Sequence, residues 1–328
     1  MSLLRHRSSK ASLALVPVVA ITLAAVLAGC SSTTDTASTD DAAATTSTVD
    51  ASLVALLPED IQKSKTLAFG AEWSTPPMIG VDTADTSKPV GIAVDLAAAV
   101  SGVLGVTPEW KNMLFPSQIP GLQSGNVDVL MGQVSITAER EKGIVDLTPF
   151  YRSTLSILVP AGNPEGLTSL ADACGLTLGS VPGSILTTVA EKASDTSCVA
   201  NGKPAIKVAD YNGAQGAISA LKAGTIDGWM DSTSNQVLAA KAAPTVFATV
   251  EVPVAEQEVA DTGLLGVAVA KENPGISNAI AGALKVIIDN GTYETILKKY
   301  DLAADGIASA DVVINPTTNT PVGTKAAS

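Results

Sequence analysis

The stretch LQSGNVDVLMG, from Leu122, recurs 99 residues later as LKAGTIDGWMD, from Leu221. Leu, Gly, Asp and Met keep their offsets, and Val127 is answered by Ile226. Each copy reads as a helix end, a glycine stop, a β-branched residue, an aspartate and a strand. This recurrence predicts two α/β lobes of like construction, each presenting the end of an equivalent strand. Those ends are Gly132-Gln133 and Asp231-Ser232. Ligands of open parallel sheets bind beyond the carboxyl ends of the strands. Lobes that face each other would therefore set the Asp231 carboxylate opposite the donor-rich run from Gln133 to Arg140, and such a cleft suits a zwitterion. Asp128 and Asp227, inside their strands, are expected to be structural.

The surroundings of the repeat carry the same alternation. TLAFGA, DLAAAVSGVL, PEWK, QIPGLQSG and VDVLMG follow one another as strand and helix patterns, which predicts parallel α/β sheets. Ile276, Ile280, Leu284, Ile287 and Ile288 share one helical face, stopped by Asn290-Gly291. The 328 residues suffice for two domains at roughly 100 to 200 residues each. With 46% hydrophobic residues but only 3% aromatic, the core must be built from Ala, Val, Leu and Ile.

The first thirty residues differ from the rest. Arg5, Arg7 and Lys10 form a basic region, Ala11 to Leu27 an apolar one, and Leu27-Ala28-Gly29-Cys30 ends it. The apolar run is short, is interrupted by Pro17 and meets a Ser/Thr-rich tract, so it reads as a secretory signal rather than a membrane span. LAGC resembles a bacterial lipobox, which implies alkylation of the Cys30 thiol by diacylglycerol, cleavage before that residue, palmitate among the several acyl chains it carries, and a lipid anchor at the extracytoplasmic face of the cell membrane. From Ser31 to about Asp50 there is no apolar period, a composition that cannot order itself. The expected division is a signal over residues 1–29, a disordered tether over 30–60, a first lobe from 61–156 and 257–305, a second lobe over 157–256 and a flexible tail over 306–328. The tether has an r.m.s. reach of roughly 30 Å.

Processing at Cys30 removes His6, the chain's one histidine, and with it Ser-His-Asp, Cys-His and His-based zinc chemistry. No metal set and no cofactor motif are read from the remainder. Cys174 and Cys198 are left, and in an exported chain two cysteines are expected to pair. Closing that loop is worth about 3.5 kcal/mol in the chain-entropy model. The formal charge of −12, or −15 without the three basic signal residues, argues against nucleic acid as a partner.

Chemistry concentrates in MGQVSITAERE, residues 131–141. Ser135 and Thr137 offer hydroxyls, Thr137 is a candidate N-cap, and a helix entered at Ala138 has unsatisfied amides that attract anions. Arg140 adds a planar fork matched to a carboxylate. In SVPGSILTTVAEK, Ser184 reads as a second N-cap, and Asp231 as the partner of an ammonium. Trp73 and Phe115 are scarce aromatics in loop contexts; either could wall a ligand side chain or plug core. Glu72 is either a loop charge or a contact to that side chain.

These residues resemble the type 3 solute-binding proteins of ABC importers, which bind polar amino acids. The resemblance spans about Thr66 to Leu302 and rests on GIAVDLAAAVSGVLGV, IPGLQSGNVDVLMGQVSITAER, PFYRS, LKAGTIDGWMDS and NGTYETILKKYDL, in the family's order. The pairing of ADACGLTLGSVPGS with TSCVANGKPAI is similar to actinobacterial members. The resemblance implies a periplasmic-binding-protein type 2 fold, two α/β lobes joined by two crossover strands near residues 153–160 and 251–263. It places the ligand carboxylate on Ser135 and Arg140, and the ammonium on Gly132, Gln133 and Asp231, with Gly183, Ser184 and Ile185 forming the second-lobe turn. Gln133 stands where the family has a small residue. Thr75 stands where it tends to have a stacking aromatic, leaving Trp73 or Phe115 to supply one.

The function so implied is capture of a small polar solute, an amino acid first, and its delivery to an ABC permease with its ATPase subunits, by a monomer without enzymatic turnover. The alternatives are an exported dehydratase-like enzyme on the same fold, with Glu72 as its acid, or a ligand-dependent partner of a membrane sensor.

Overall fold

The computed structural model describes residues 48–257 and 263–319. The signal, the lipobox with Cys30, the tract up to residue 47, the crossing residues 258–262 and the end of the tail lie outside the described residues.

Among the described residues there are twelve strands: β1 (Thr66–Ala71), β2 (Gly80–Val81), β3 (Pro89–Val90), β4 (Thr107–Asn112), β5 (Val129–Leu130) and β6 (Val145–Arg152). They continue as β7 (Leu155–Pro160), β8 (Thr177–Ser180), β9 (Lys207–Asp210), β10 (Gly228–Ser232), β11 (Phe247–Glu251) and β12 (Leu264–Ala270). One sheet runs β4-β1-β5-β12-β6 and the other β9-β8-β10-β7-β11, so position by position the two lobes are built alike. The chain passes to the second sheet through Ser153-Thr154, between β6 and β7, and returns between β11 and β12.

The sheets are mixed, which corrects the expectation of parallel sheets. β12 pairs antiparallel with β5 and β6, and β7 antiparallel with β10 and β11. These are the strands that enter a sheet from the other lobe. No crossover helix of their own lobe turns them back, so they meet their neighbours head to tail.

Both faces of each sheet are covered, as buried strands require. In the first lobe Phe69, Val129, Met131 and Val267 pack under the helices Ile92–Leu104 and Pro274–Asp289, while Leu130, Leu147 and Ala268 face the opposite layer. In the second, Ile157 and Met230 lie on one side, and Leu158 and Trp229 on the other. The helix Pro274–Asp289 buries Ile276, Ile280, Leu284 and Ile287, and stops at Asn290 with Gly291 left-handed.

The repeated motif is one structural device used twice. Gly125 and Gly224 both take φ of +69°. The following amides, of Asn126 and Thr225, donate to the Gly121 and Ala220 carbonyls at 2.9 Å each, closing the helix ends as Schellman motifs. The Asp128 carboxylate then accepts from the Ala68 amide at 2.8 Å, and that of Asp227 from the Thr177 amide at 2.7 Å. Each aspartate pins its strand to the neighbouring one.

Cys174 and Cys198 form a disulfide, with Cys198 buried in the second-lobe core. Residues 50–61 and 307–319, expected within a disordered tether and a flexible tail, are folded. Asp50 caps a turn of helix at Ala51–Val54, and Leu57 and Ile61 are buried. Leu53 and Leu56 are seated by two glycines of the long terminal helix. A Cβ at Gly282 would lie 2.4 Å from Leu53 Cδ2, and one at Gly275 2.2 Å from the Leu56 carbonyl oxygen. At the other end, Ile307, Val312 and Asn315 are buried against the first lobe. Sparse apolar residues without a period suffice for docking when the receiving surface is complementary, which is why composition alone missed both segments. Among the described residues, no helix is long and apolar enough to cross a membrane, and no cluster of His, Cys, Asp or Glu is arranged to hold a metal.

Candidate functional site

Three strand ends from each sheet converge on one cavity enclosing about 740 Å³ of space, part of it open to solvent. From the first lobe come Glu72 and Thr75 after β1, Phe115 and Gln118 after β4, and Gln133 and Ser135 after β5. From the second come Ser184 and Ile185 after β8, Gly213 and Ala214 after β9, and Asp231 and Ser232 at the end of β10. The equivalence of the lobes is what makes the two sets face each other.

The Glu72 carboxylate is held by partners from its own lobe. Its Oε1 accepts from Ser74 Oγ at 2.7 Å and its Oε2 from the Phe115 amide at 3.1 Å. That amide opens the helix Phe115–Gln123, so the carboxylate rests at the positive end of a helix dipole. Gly213, across the cleft, comes so close that a Cβ there would lie 2.5 Å from Glu72 Oε1.

Residues Val134 to Ile136 extend the first sheet. The Ile136 amide donates to the Leu264 carbonyl and the Gly266 amide to that of Val134. Thr137 then caps the short helix Ala138–Lys142, its Oγ1 accepting from the Arg140 amide at 3.2 Å. The Arg140 guanidinium folds back, donating from Nη1 to the Ser135 carbonyl at 2.7 Å and from Nη2 across the cleft to the Gly183 carbonyl at 3.1 Å. It also stands 5.7 Å from the centre of the Phe115 ring.

Asp231 Oδ1 accepts from the Ser232 amide at 2.7 Å and from Asn235 Nδ2 at 3.1 Å. The residue is half-buried and lines the cavity. Burial is the main reason its carboxyl is pushed up to about 6, with the nearby Glu72 charge adding to the rise and the hydrogen bonds from Ser232, Asn235 and Trp229 opposing it. Gln133 reaches over from the first lobe, its Nε2 3.3 Å from Ser232 Oγ and 3.4 Å from Asn235 Oδ1. Gln133, Asn235 and Asp231 thus form a line of donors and acceptors across the cleft, and the two lobes are closed on each other.

Of the sequence-predicted residues, Glu72, Thr75, Phe115, Gln133, Ser135, Ser184, Ile185 and Asp231 line the cavity, and Trp73, Gly132 and Arg140 do not. Trp73 packs half-buried against the first-lobe core, its backbone amide donating to Asn112 Oδ1. Of the two aromatics expected from the sequence, Phe115 is the one that lines the cavity. Gly132 is set back against Ala71, where a Cβ would lie 3.2 Å from that methyl group. Arg140 occupies the rim, in hollows shared with Ile119 and Gly183. Sequence reasoning missed Gln118, Ser153, Leu155, Gly213, Trp229 and Leu265, all of which border the cavity. Gly213 and Gln118 come after strands as Asp231 does, so the strand-end rule applied to every strand would have found them. Trp229 answers core Leu130 in the repeat and carried no such signal.

The sequence model of the bacterial extracellular solute-binding proteins, family 3, matches residues 67–303. The putative ABC transporter arginine-binding protein 2 of Escherichia coli K12 is 29% identical over 250 residues, 76% of this chain and 96% of its own. The glutamine-binding protein of Geobacillus stearothermophilus is 29% identical over 220 residues, covering 66% of this chain and 77% of that one. Among solved structures, an ancestral arginine-binding protein bound to arginine superposes with a TM-score of 0.63 at 30% identity, over 72% of this chain and 98% of that one. These relatives are named for binding arginine or glutamine, the first as an ABC transporter protein, and the fold shared with the ancestral protein is the type 2 periplasmic-binding fold. The chain belongs to the bacterial extracellular solute-binding proteins, family 3.

Proposed function

We propose that this protein captures a basic amino acid, arginine first, and hands it to an ABC permease and its ATPase subunits while held at the extracytoplasmic membrane face by lipid on Cys30. One observation carries the choice of ligand. Among the described residues, the charged side chains lining the cavity are Glu72 and Asp231, both acidic, with Arg140 at the rim. A neutral amino acid would satisfy Arg140 and Asp231 and leave Glu72 facing it uncompensated. A basic one carries one more cation, so its carboxylate pairs with Arg140 and Ser135, its ammonium with Asp231, and its side chain with Glu72 along the flat Phe115 ring.

Such a ligand bridges both lobes and favours the closed arrangement by its differential contacts. Two charge-assisted ends and a stacked side chain are in keeping with a micromolar complex, about −8 kcal/mol. The named relatives that bind arginine support the same class. The protein acts as a monomer, divided as the sequence suggests into signal, tether and two lobes, with the hinge at the two crossings. Thermal shift against the twenty amino acids tests the ligand class: at a hundredfold excess over the dissociation constant a true ligand adds about 2.7 kcal/mol. Arginine and lysine are expected to lead, and stabilisation by acidic amino acids alone would overturn the reading. Replacing Cys30 by serine should release the chain from the membrane fraction, and retention there would rule out the anchor.

A further inference from the structure

The family match ends at residue 303, yet the chain remains folded to Asn319. What those extra residues hold is the helix that carries Arg140. Asn315 docks on β6, an edge strand: its amide donates to the Leu147 carbonyl at 2.8 Å, its Oδ1 accepts from the Leu147 amide at 2.9 Å, and its Nδ2 donates to Asp146 Oδ1 at 2.8 Å. The next turn, Pro316–Asn319, delivers four donors to one carboxylate. Glu141 Oε1 accepts from the Thr317 amide at 3.2 Å, and its Oε2 from the Thr318 amide at 2.8 Å, Thr318 Oγ1 at 2.9 Å and Thr317 Oγ1.

Glu141 is only 1% exposed and immediately follows Arg140. Its backbone carbonyl also accepts from Lys271 Nζ. The helix it belongs to has five residues, Ala138–Lys142, far below the length at which helices persist unaided. Its first turn is held by Thr137, and its last by this clasp.

We propose that Glu141 with Thr317 and Thr318 is a positioning clasp for Arg140, by which a C-terminal extension beyond the family's common fold sets the protein's grip on the ligand carboxylate. The inference rests on the reading that Arg140 receives that carboxylate. A helix free to fray would let the guanidinium wander among backbone carbonyls. The clasp confines it to one arc at the cavity rim, which lowers the ordering cost of binding.

The test compares L-arginine with L-argininamide, which lacks the carboxylate, by calorimetry on the intact mature chain and on two variants, Glu141→Gln and the double variant Thr317→Val/Thr318→Val. The clasp predicts that each variant raises the arginine dissociation constant about tenfold and leaves that of argininamide within twofold. It also predicts that the same changes made on Arg140→Ala cost nothing further, because positioning has then lost its object. Equal losses for both ligands, or unchanged affinity for arginine, would overturn the clasp while leaving the proposed function in place. Failure of the unaltered chain to bind either ligand would overturn the functional reading, and the clasp with it.

Discussion

Asp231, at the end of β10, lines the cavity with its carboxyl pushed up by burial. Its folded-state carboxyl titrates at about 6, against an unfolded value near 3.9. Because the folded pKa is the higher, the contribution to stability is present in full below about pH 4 and is lost as pH rises through about 6. Asp231→Asn removes the cost of holding a buried charge, so the ligand-free protein should gain about 2 kcal/mol at pH 7.5. Denaturant melts read this directly, and a loss of stability would contradict the assignment. Binding runs the opposite way with pH. An ammonium needs the ionised carboxylate, so affinity should fall about tenfold per pH unit below about 6, where a flat profile from pH 8 to 5 would remove Asp231 from the ammonium site. Asp231 was legible in the sequence because the repeat placed it at a strand end. Which of Trp73 and Phe115 faces the cavity was not, because nothing local distinguishes an aromatic that walls a cleft from one that turns back onto the sheet.

At the scale of elements, the cleft is made by the turns at the carboxyl ends of the parallel strands. The Gly213 turn is the most demanding of these. Gly213 holds φ at +150°, and its missing Cβ leaves room for Glu72. Gly213→Ala therefore strains the backbone and blocks the approach of the lobes, and should weaken arginine binding by more than about tenfold. Solution scattering should find the variant more open than wild type in saturating ligand, and equal closure would show that the contact is dispensable. The twin helix stops and strand-pinning aspartates were readable because they use local chemistry, a left-handed glycine and a carboxylate one strand away. The antiparallel β7 and β12 were not. Their direction is set by a chain that leaves one lobe and re-enters from the other, and no local pattern encodes that.

For the molecule as a whole, side chains of the two lobes already meet across the cleft. Gln133 donates across the cleft to Ser232 and Asn235, and Arg140 to Gly183. A small residue at 133 would lose the first link while freeing space beside Asp231. Gln133→Gly should shift the ligand-free ensemble toward the open form, visible as a larger radius of gyration, and weaken binding through the population of the competent state. The two lobes and their facing ends could be inferred from one eleven-residue repeat. The docked segments at either end could not. One depends on glycine seats in a helix more than 200 residues away, and the other on hydrogen bonds to the edge of β6.

A basic amino acid is proposed to be held with its α-carboxylate on Arg140, its α-ammonium on Asp231 and its side-chain cation on Glu72. Calorimetric titration of the mature chain with L-arginine tests it most directly. One saturable site of micromolar affinity is predicted, weakened about a hundredfold but still measurable in both Arg140→Ala and Asp231→Asn. Absence of binding to the unaltered chain, or full affinity in either variant, would contradict it.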